Sequence, residues 1–281
     1  MISIEDISAG YGSRPVLRNV SFHVARGDFV GLIGPNGCGK TTLLRVISGV
    51  LPPSSGRVRL RGSDLREIGP RKLARVMACL PQQFSLDLAF TVRELVLMGR
   101  SPHLPRFGGE TGRDFETARG AMELADVSHL ADRLVTEISG GERQRALIAM
   151  CLAQEPEVLL LDEPASHLDI AHQLSVLDLI ARLNGRTGMT VVAVFHDLNL
   201  AAEYCRKLLV LNEGRVEASG RPQDVLTAEM ILRVYKATVA VQPNPLSDKP
   251  HLVLTAGVNH GSRERAQPPS PDHAAAMETE P

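Results

Sequence analysis

A chain of 281 residues in which 43% are hydrophobic can bury a full core, and its net charge of -1 gives no reason to expect nucleic acid as a partner. No apolar run approaches the roughly 18 residues that a membrane span needs, and Met1-Ile2-Ser3-Ile4-Glu5 is unlike a signal peptide, so a soluble protein is expected. Cys38, Cys79, Cys151 and Cys205 have neither CxxC nor metal-ligand spacing and read as reduced cytosolic thiols.

In chain order, residues 1 to about 30, with alternation in Phe22-His23-Val24 and later in Val58-Arg59-Leu60-Arg61, suggest a small antiparallel sheet. Phe29-Val30-Gly31-Leu32-Ile33 reads as a buried strand. It runs into Gly34-Pro35-Asn36-Gly37-Cys38-Gly39-Lys40-Thr41, which fits GxxxxGK[ST], and Thr42-Leu43-Leu44-Arg45-Val46-Ile47 then carries a helical pattern. That is the strand, loop and helix order of a nucleoside triphosphate phosphate loop. Its glycines let the backbone curl until successive N–H groups and the helix N-terminus point at phosphates, Lys40 reaches the β and γ oxygens, and Thr41 offers a hydroxyl to Mg²⁺.

Four further apolar runs read as buried strands. Val76-Met77-Ala78-Cys79-Leu80 ends at Pro81-Gln82, Val158-Leu159-Leu160-Leu161 at Asp162-Glu163, Val191-Val192-Ala193-Val194-Phe195 at His196, and Lys207-Leu208-Leu209-Val210-Leu211 at a plain turn. Between the first two, residues about 84 to 150 look helical. Within them Thr91 to Met98 resembles a capped amphipathic helix, and Ser139 is a good N-cap for a helix running through Ala146-Leu147-Ile148 towards Pro156. Residues about 217 to 256 are expected to pack a short helix and a strand against the core. From 257 to 281 the chain is too poor in large apolar groups to fold, and His260 and His273 are expected to be solvated there.

Continuous apolar runs separated by helix-length segments imply a parallel sheet covered on both faces, and ligands in such sheets bind at the carboxyl ends of the strands. The phosphate loop, Gln82, Asp162, Glu163 and His196 therefore converge on one crevice. Each alone has a plainer reading: a loop polar group, a helix cap, a satisfied histidine. Together they fit phosphoryl transfer, with Asp162 holding Mg²⁺ and Glu163 orienting and deprotonating water. Lys40, Mg²⁺ and His196 neutralise charge near the γ-phosphate, and Gln82 reports on it. Cys38 lies inside the loop, so a thiol alkylator is expected to block hydrolysis and ATP to protect.

Ile138-Ser139-Gly140-Gly141-Glu142-Arg143-Gln144-Arg145 narrows the family. Over roughly residues 1 to 240 the sequence resembles the ATP-binding subunit of an ABC transporter, whose LSGGQ signature lies between the two nucleotide motifs. The resemblance implies an α/β P-loop NTPase core with a mostly parallel sheet, a small antiparallel β subdomain and an inserted helical subdomain. It implies one ATPase domain over 1–256 and ATP with Mg²⁺ held by Gly34, Pro35, Asn36, Gly37, Cys38, Gly39, Lys40, Thr41 and Thr42. Tyr11 is implied to stack on adenine, and Thr41, Gln82 and Asp162 to hold the metal. Ser139, Gly140, Gly141 and Glu142 are implied to contact ATP on a second copy in a head-to-tail homodimer, and Ser166-His167-Leu168-Asp169 to be the dimer-contacting loop, with His196 the switch histidine.

Ile138 departs from Leu, Glu142 from the usual Gln, which puts an extra charge near the dimer interface, and Ala165 stands where Thr is frequent. The strings Gly99-Arg100-Ser101-Pro102-His103, Leu168-Asp169-Ile170-Ala171-His172-Gln173 and His196-Asp197-Leu198-Asn199-Leu200-Ala201 resemble the branch that imports ferric siderophores, haem and cobalamin. That resemblance implies permease partners, an indirect substrate-binding protein and a peripheral position on the cytoplasmic side of the inner membrane. His103 and His172 have no partner ligands and read as structural. A soluble ABC protein acting as a nucleotide-gated module is the alternative, and it usually carries coiled coils or fused cassettes that this chain lacks.

Overall fold

The computed structural model describes residues 1–82, 89–105 and 107–254. The chain opens with β1 (Ile2–Tyr11) and β2 (Arg14–Val24), passes through β3 (Phe29–Ile33) and α1 (Lys40–Ile47), and returns in β4 (Ser55–Leu60) and the short β5 (Ser63–Asp64). A turn of helix, α2 (Pro70–Ala74), precedes β6 (Met77–Leu80). Three helices follow, α3 (Val92–Met98), α4 (Gly112–Leu124) and α5 (Gly140–Ala153), before β7 (Val158–Asp162). Next come α6 (Ile170–Thr187), β8 (Thr190–Val194), α7 (Leu198–Tyr204), β9 (Lys207–Asn212) and β10 (Arg215–Gly220). The described chain closes with α8 (Pro222–Val225), α9 (Ala228–Tyr235) and the hairpin β11 (Val239–Pro243) and β12 (Pro250–Leu254).

The main sheet has the order β10-β9-β3-β8-β7-β6 and is parallel except for β10. All five apolar runs lie in it, and alternation along each strand explains why they are continuous. Val30, Leu32, Leu160, Val192 and Leu209 face a core shared with α1 and the antiparallel sheet. Phe29, Ile33, Leu159, Leu161 and Val191 face a second core built by α5, α6, α7 and their neighbours. Neither side of a central strand meets water, so neither side is polar.

The antiparallel sheet β2-β1-β4-β5 is the expected small one. In β1 the buried residues are Ile2 and Ile4, then Ile7 and Ala9, a slip of one position. Asp6 sits at the slip with a left-handed φ of 50°, and the pairing register shifts between Ile4 and Ile7. The bulge keeps both halves of the strand facing one core.

Between β6 and β7 the chain leaves the sheet to form the helical unit of α3, α4 and α5. Thr91 and Glu94 close a capping box on α3, Thr91 Oγ1 accepting from the Glu94 N–H and Glu94 Oε2 from the Thr91 N–H. Arg100, only 2% exposed, donates to Asp114 Oδ1 at 2.9 Å, to the Ala153 carbonyl at 2.7 Å and to Glu155 Oε2 at 2.7 Å. One guanidinium thus ties the ends of α3 and α5 to the start of α4. His103, read as structural, bonds the Gln154 carbonyl through Nε2 at 3.0 Å.

The C-terminal part departs from the sequence reading. Where one short helix and one strand are expected, residues 222–254 form two short helices and an antiparallel hairpin, and β10 adds an antiparallel edge to the main sheet. Arg215-Val216-Glu217-Ala218-Ser219-Gly220 alternates between exposed and half-buried positions. It therefore carries no buried run for periodicity to detect. The expected tail over 257–281, with His260 and His273, and the start of the helical segment at about 84 lie outside the described residues.

Candidate functional site

The phosphate loop joins the carboxyl end of β3 to α1. Gly39 is the N-cap of α1 at φ 109°, and a Cβ there would press on the Leu17 and Val16 side chains at 2.9 and 3.1 Å. Only glycine takes that turn without strain. The first turn of α1 holds no acidic residue, so its N–H groups and partial positive charge are left for an anion. Lys40 is buried, its ammonium donating to the carbonyls of Gly34 at 2.7 Å and Pro35 at 3.0 Å. The loop is thus wrapped around its own lysine.

The loop forms one wall of a cleft of about 560 Å³ that Tyr11, Asn36, Gly37, Gly39, Lys40, Thr41, Thr42, Gln82, Glu163 and His196 also line. The β6, β7 and β8 ends deliver Gln82, Glu163 and His196, so these three converge on the cleft as expected from strand ends, whereas Asp162, expected with them, is not among its lining residues. Glu163 takes a left-handed φ of 56° immediately after β7, a conformation that costs a non-glycine residue free energy and turns its side chain back to the cleft. Gln82 Nε2 donates to Glu163 Oε2 at 2.7 Å, and His196 Nε2 bonds Glu163 Oε1. The Glu163 side chain is only 9% exposed, against 48% for His196. A carboxylate so braced can accept a proton from a water in the cleft without moving.

Asp162, the last residue of β7, is buried. Burial pushes its carboxyl above the usual range and the neighbouring Glu163 charge adds to this, while a hydrogen bond from the Thr41 side chain and the charges of Arg45 and Lys40 oppose it. Its Oδ1 is buried and has no hydrogen-bond partner among the described residues. That is an acceptor suited to a cation.

Tyr11 ends β1 and is 44% exposed on the cleft rim. Its hydroxyl accepts from Arg45 Nη1 at 2.9 Å, and the same guanidinium stands 5.9 Å from the ring centroid. Sequence reasoning missed Arg45, although it is the one charged residue in the otherwise apolar run that follows Thr42.

Ser139, Gly140, Gly141, Glu142 and Asp169 do not line this cleft. They gather at the start of α5 and α6. Ser139 Oγ accepts from the Glu142 N–H at 3.3 Å, and Glu142 Oε2 accepts from the Ser139 N–H at 2.8 Å. The Ser139 backbone and hydroxyl hold the Glu142 carboxyl below its usual range. The departure from Gln is thereby accommodated, since a carboxylate closes the capping box as well as an amide. Asp169 is the N-cap of α6, accepting from the His172 N–H at 2.9 Å.

Cys38 corrects one expectation. Its side chain lies in the core beneath the loop, 6% exposed, and burial pushes the thiol up despite the nearby Lys40. The thiolate is the reactive form, so the folded protein is expected to resist alkylation at Cys38 near neutral pH. Peptide mass spectrometry after N-ethylmaleimide treatment checks this: fast native-state labelling at Cys38 would contradict it, and labelling only after unfolding supports it.

The ABC transporter family profile matches residues 17–166. The chain is 42% identical over 249 residues to the ferric enterobactin transport ATP-binding protein FepC of Escherichia coli (strain K12), covering 89% of this chain and 92% of that protein. It is 45% identical over 237 residues to the hemin import ATP-binding protein HmuV of Nocardia farcinica (strain IFM 10152), covering 84% and 81% respectively. A solved structure described as a metal-chelate type ABC transporter in an inward-facing conformation superposes with a TM-score of 0.79 at 32% identity, over 90% of this chain and 96% of that one. The dimeric ATP-binding cassette MJ0796, bound to ADP and Pi, superposes with a TM-score of 0.68 at 28% identity, over 79% of this chain and 98% of that one.

Proposed function

The chain belongs to the ABC transporter family, and from that premise we propose that it is the ATP-hydrolysing subunit that powers import of a metal chelate through a partner permease. The chelate is a ferric siderophore, haem or vitamin B12. The observation that carries the hydrolytic reading is Glu163, braced between Gln82 and His196 at the mouth of the phosphate-loop cleft. Residues 1–256 act as one ATPase domain with a helical subdomain inserted over about 84–150.

ATP lies with adenine on Tyr11 and its phosphates against the N–H groups of residues 34 and 36–42, Pro35 having none. Lys40 turns from the Gly34 and Pro35 carbonyls to the β and γ oxygens. Glu163 takes a proton from a water whose oxygen bonds to the γ-phosphorus, while the bond from phosphorus to the bridging oxygen breaks and its electron pair leaves on ADP. His196 steadies the Glu163 carboxylate and faces the γ-phosphate. Thr41 and Asp162 suit a divalent cation, because the Asp162 carboxylate takes the Thr41 bond and keeps a buried free oxygen; Gln82, its amide nitrogen engaged by Glu163, has Oε1 to add. Mg²⁺ bound there supplies neutralisation of charge on the β- and γ-phosphate oxygens.

The signature residues Ser139, Gly140, Gly141 and Glu142 stand outside the cleft, so a second copy docked head to tail is what brings them to ATP, with the loop ending at Asp169 between the protomers. The permease couples through the segment at Gln82, and a substrate-binding protein acts indirectly. No described helix is long and apolar enough to cross a membrane. A peripheral position on the cytoplasmic face of the inner membrane follows from the permease partnership.

ATPase activity of the protein reconstituted with its candidate permease tests the reading. One loaded binding protein, carrying ferric siderophore, haem or cobalamin, is expected to stimulate hydrolysis. Absence of stimulation by all three would overturn the import assignment while leaving the ATPase in place. Lys40→Ala, which removes a charge-assisted donor worth about 1.5–3 kcal/mol, is expected to weaken ATP binding by about ten- to a hundredfold in a fluorescent-nucleotide titration. Unchanged affinity would remove Lys40 from the phosphate site.

A further inference from the structure

We propose that His172 is a positioning residue that locks the first turn of the signature helix to the dimer loop of the same protomer, so that both meet a second copy as one unit. The proposal rests on the dimeric ATPase reading above. α5 starts at Gly140 and Gly141, α6 at Ile170 with Asp169 as its cap, and His172 stands between them.

His172 Nδ1 is 2.8 Å from both Oδ1 and Oδ2 of Asp169, while its backbone N–H donates to Oδ1 at 2.9 Å. An ionised carboxylate only accepts, so Nδ1 carries the proton and the tautomer is fixed. The His172 N–H and ring hold the Asp169 carboxyl below its usual range, which keeps it ionised. Fixed at one end by Asp169, the imidazole lies against Gly141. A Cβ on Gly141 would overlap Cδ2 of the ring, with Cγ only 2.7 Å away. A flexible side chain could swing clear of such a contact, but this ring is tied through Nδ1 to both oxygens of Asp169. The ring therefore transmits the position of Asp169 to Gly141. The capping box of Ser139 and Glu142 transmits it on to the Ser139 hydroxyl.

The backbone cap from His172 N–H to Asp169 does not need the imidazole, so His172→Ala is expected to fold. The test uses the full chain with Glu163→Gln, in which the ATP-bound dimer is expected to persist, followed by analytical ultracentrifugation with ATP and Mg²⁺. His172→Ala is expected to weaken dimerisation by up to about fivefold, the ceiling for a largely exposed ion pair, with ATP binding by the monomer unchanged. His172→Asn, which keeps a donor for Asp169, is expected to recover part of the loss. In thermal melts Gly141→Ala is expected to lower Tm when His172 is present and to cost little in the His172→Ala background. If His172→Ala dimerises like its parent, or Gly141→Ala costs the same in both backgrounds, the positioning role is wrong while the dimer stands. If the Glu163→Gln parent stays monomeric with ATP, the dimer reading itself fails and takes this role with it.

Discussion

Glu163→Gln is expected to lower ATP turnover by about 10² to 10⁴-fold while leaving ATP binding intact and the dimer closed, because an amide of the same shape cannot accept the proton of the attacking water. The backbone argues that the effect is chemical. Glu163 sits at φ 56°, and glutamine meets the same left-handed strain as glutamate, so the substitution should not move the loop. Gln82 and His196 keep a hydrogen-bonding partner at 163, though a neutral one. Steady-state hydrolysis measured beside nucleotide affinity checks the assignment. Wild-type turnover in Glu163→Gln would show that another group takes the proton.

Arg100→Ala is expected to destabilise the protein by about 3–5 kcal/mol, the range for removing one member of a buried pair. At this chain length that corresponds to a Tm loss on the order of 10 °C. Three acceptors from two helices and a turn depend on this side chain, and among the described residues Asp114 is left buried with Thr111 alone to satisfy it. The Thr111 hydroxyl and N–H, and then Arg100, hold the Asp114 carboxyl far below its usual range. A depressed carboxylate contributes stability above its unfolded pKa near ~3.9 that is lost as pH falls below it. The penalty for Arg100→Ala is therefore expected to shrink in acid. Arg100→Met with Asp114→Asn, which removes both charges and keeps volume and cap, is expected to fall between the single mutant and wild type. A double variant as unstable as Arg100→Ala would place the loss in packing instead of charge.

The motifs of this protein were legible because each depends on local chemistry. A phosphate loop needs glycine where φ is positive, as at Gly39, and a buried parallel strand needs apolar residues on both faces, as in Val158–Leu161. The same logic made the antiparallel sheet visible through alternation. It failed at β10, an edge strand with no fully buried residue, and at Cys38, whose place in the motif says nothing about which way its thiol points. The sequence marked Glu142 as an extra charge; that the charge closes a capping box with Ser139 is a matter of local geometry that residue identity alone does not give.

The sequence by itself determined the fold class, the nucleotide motifs and the residues at the strand ends, since all of these follow from spacing along the chain. Only the tertiary structure decided which groups meet across it: Gln82 with Glu163 over 81 positions, His196 with Glu163 over 33, Arg45 with Tyr11 over 34, Arg100 with Asp114 and Glu155. These partnerships depend on strand order and helix packing, which place side chains within hydrogen-bond reach without leaving a local pattern. The same holds for His172, whose ring is explained by Gly141, a residue 31 positions earlier on another helix.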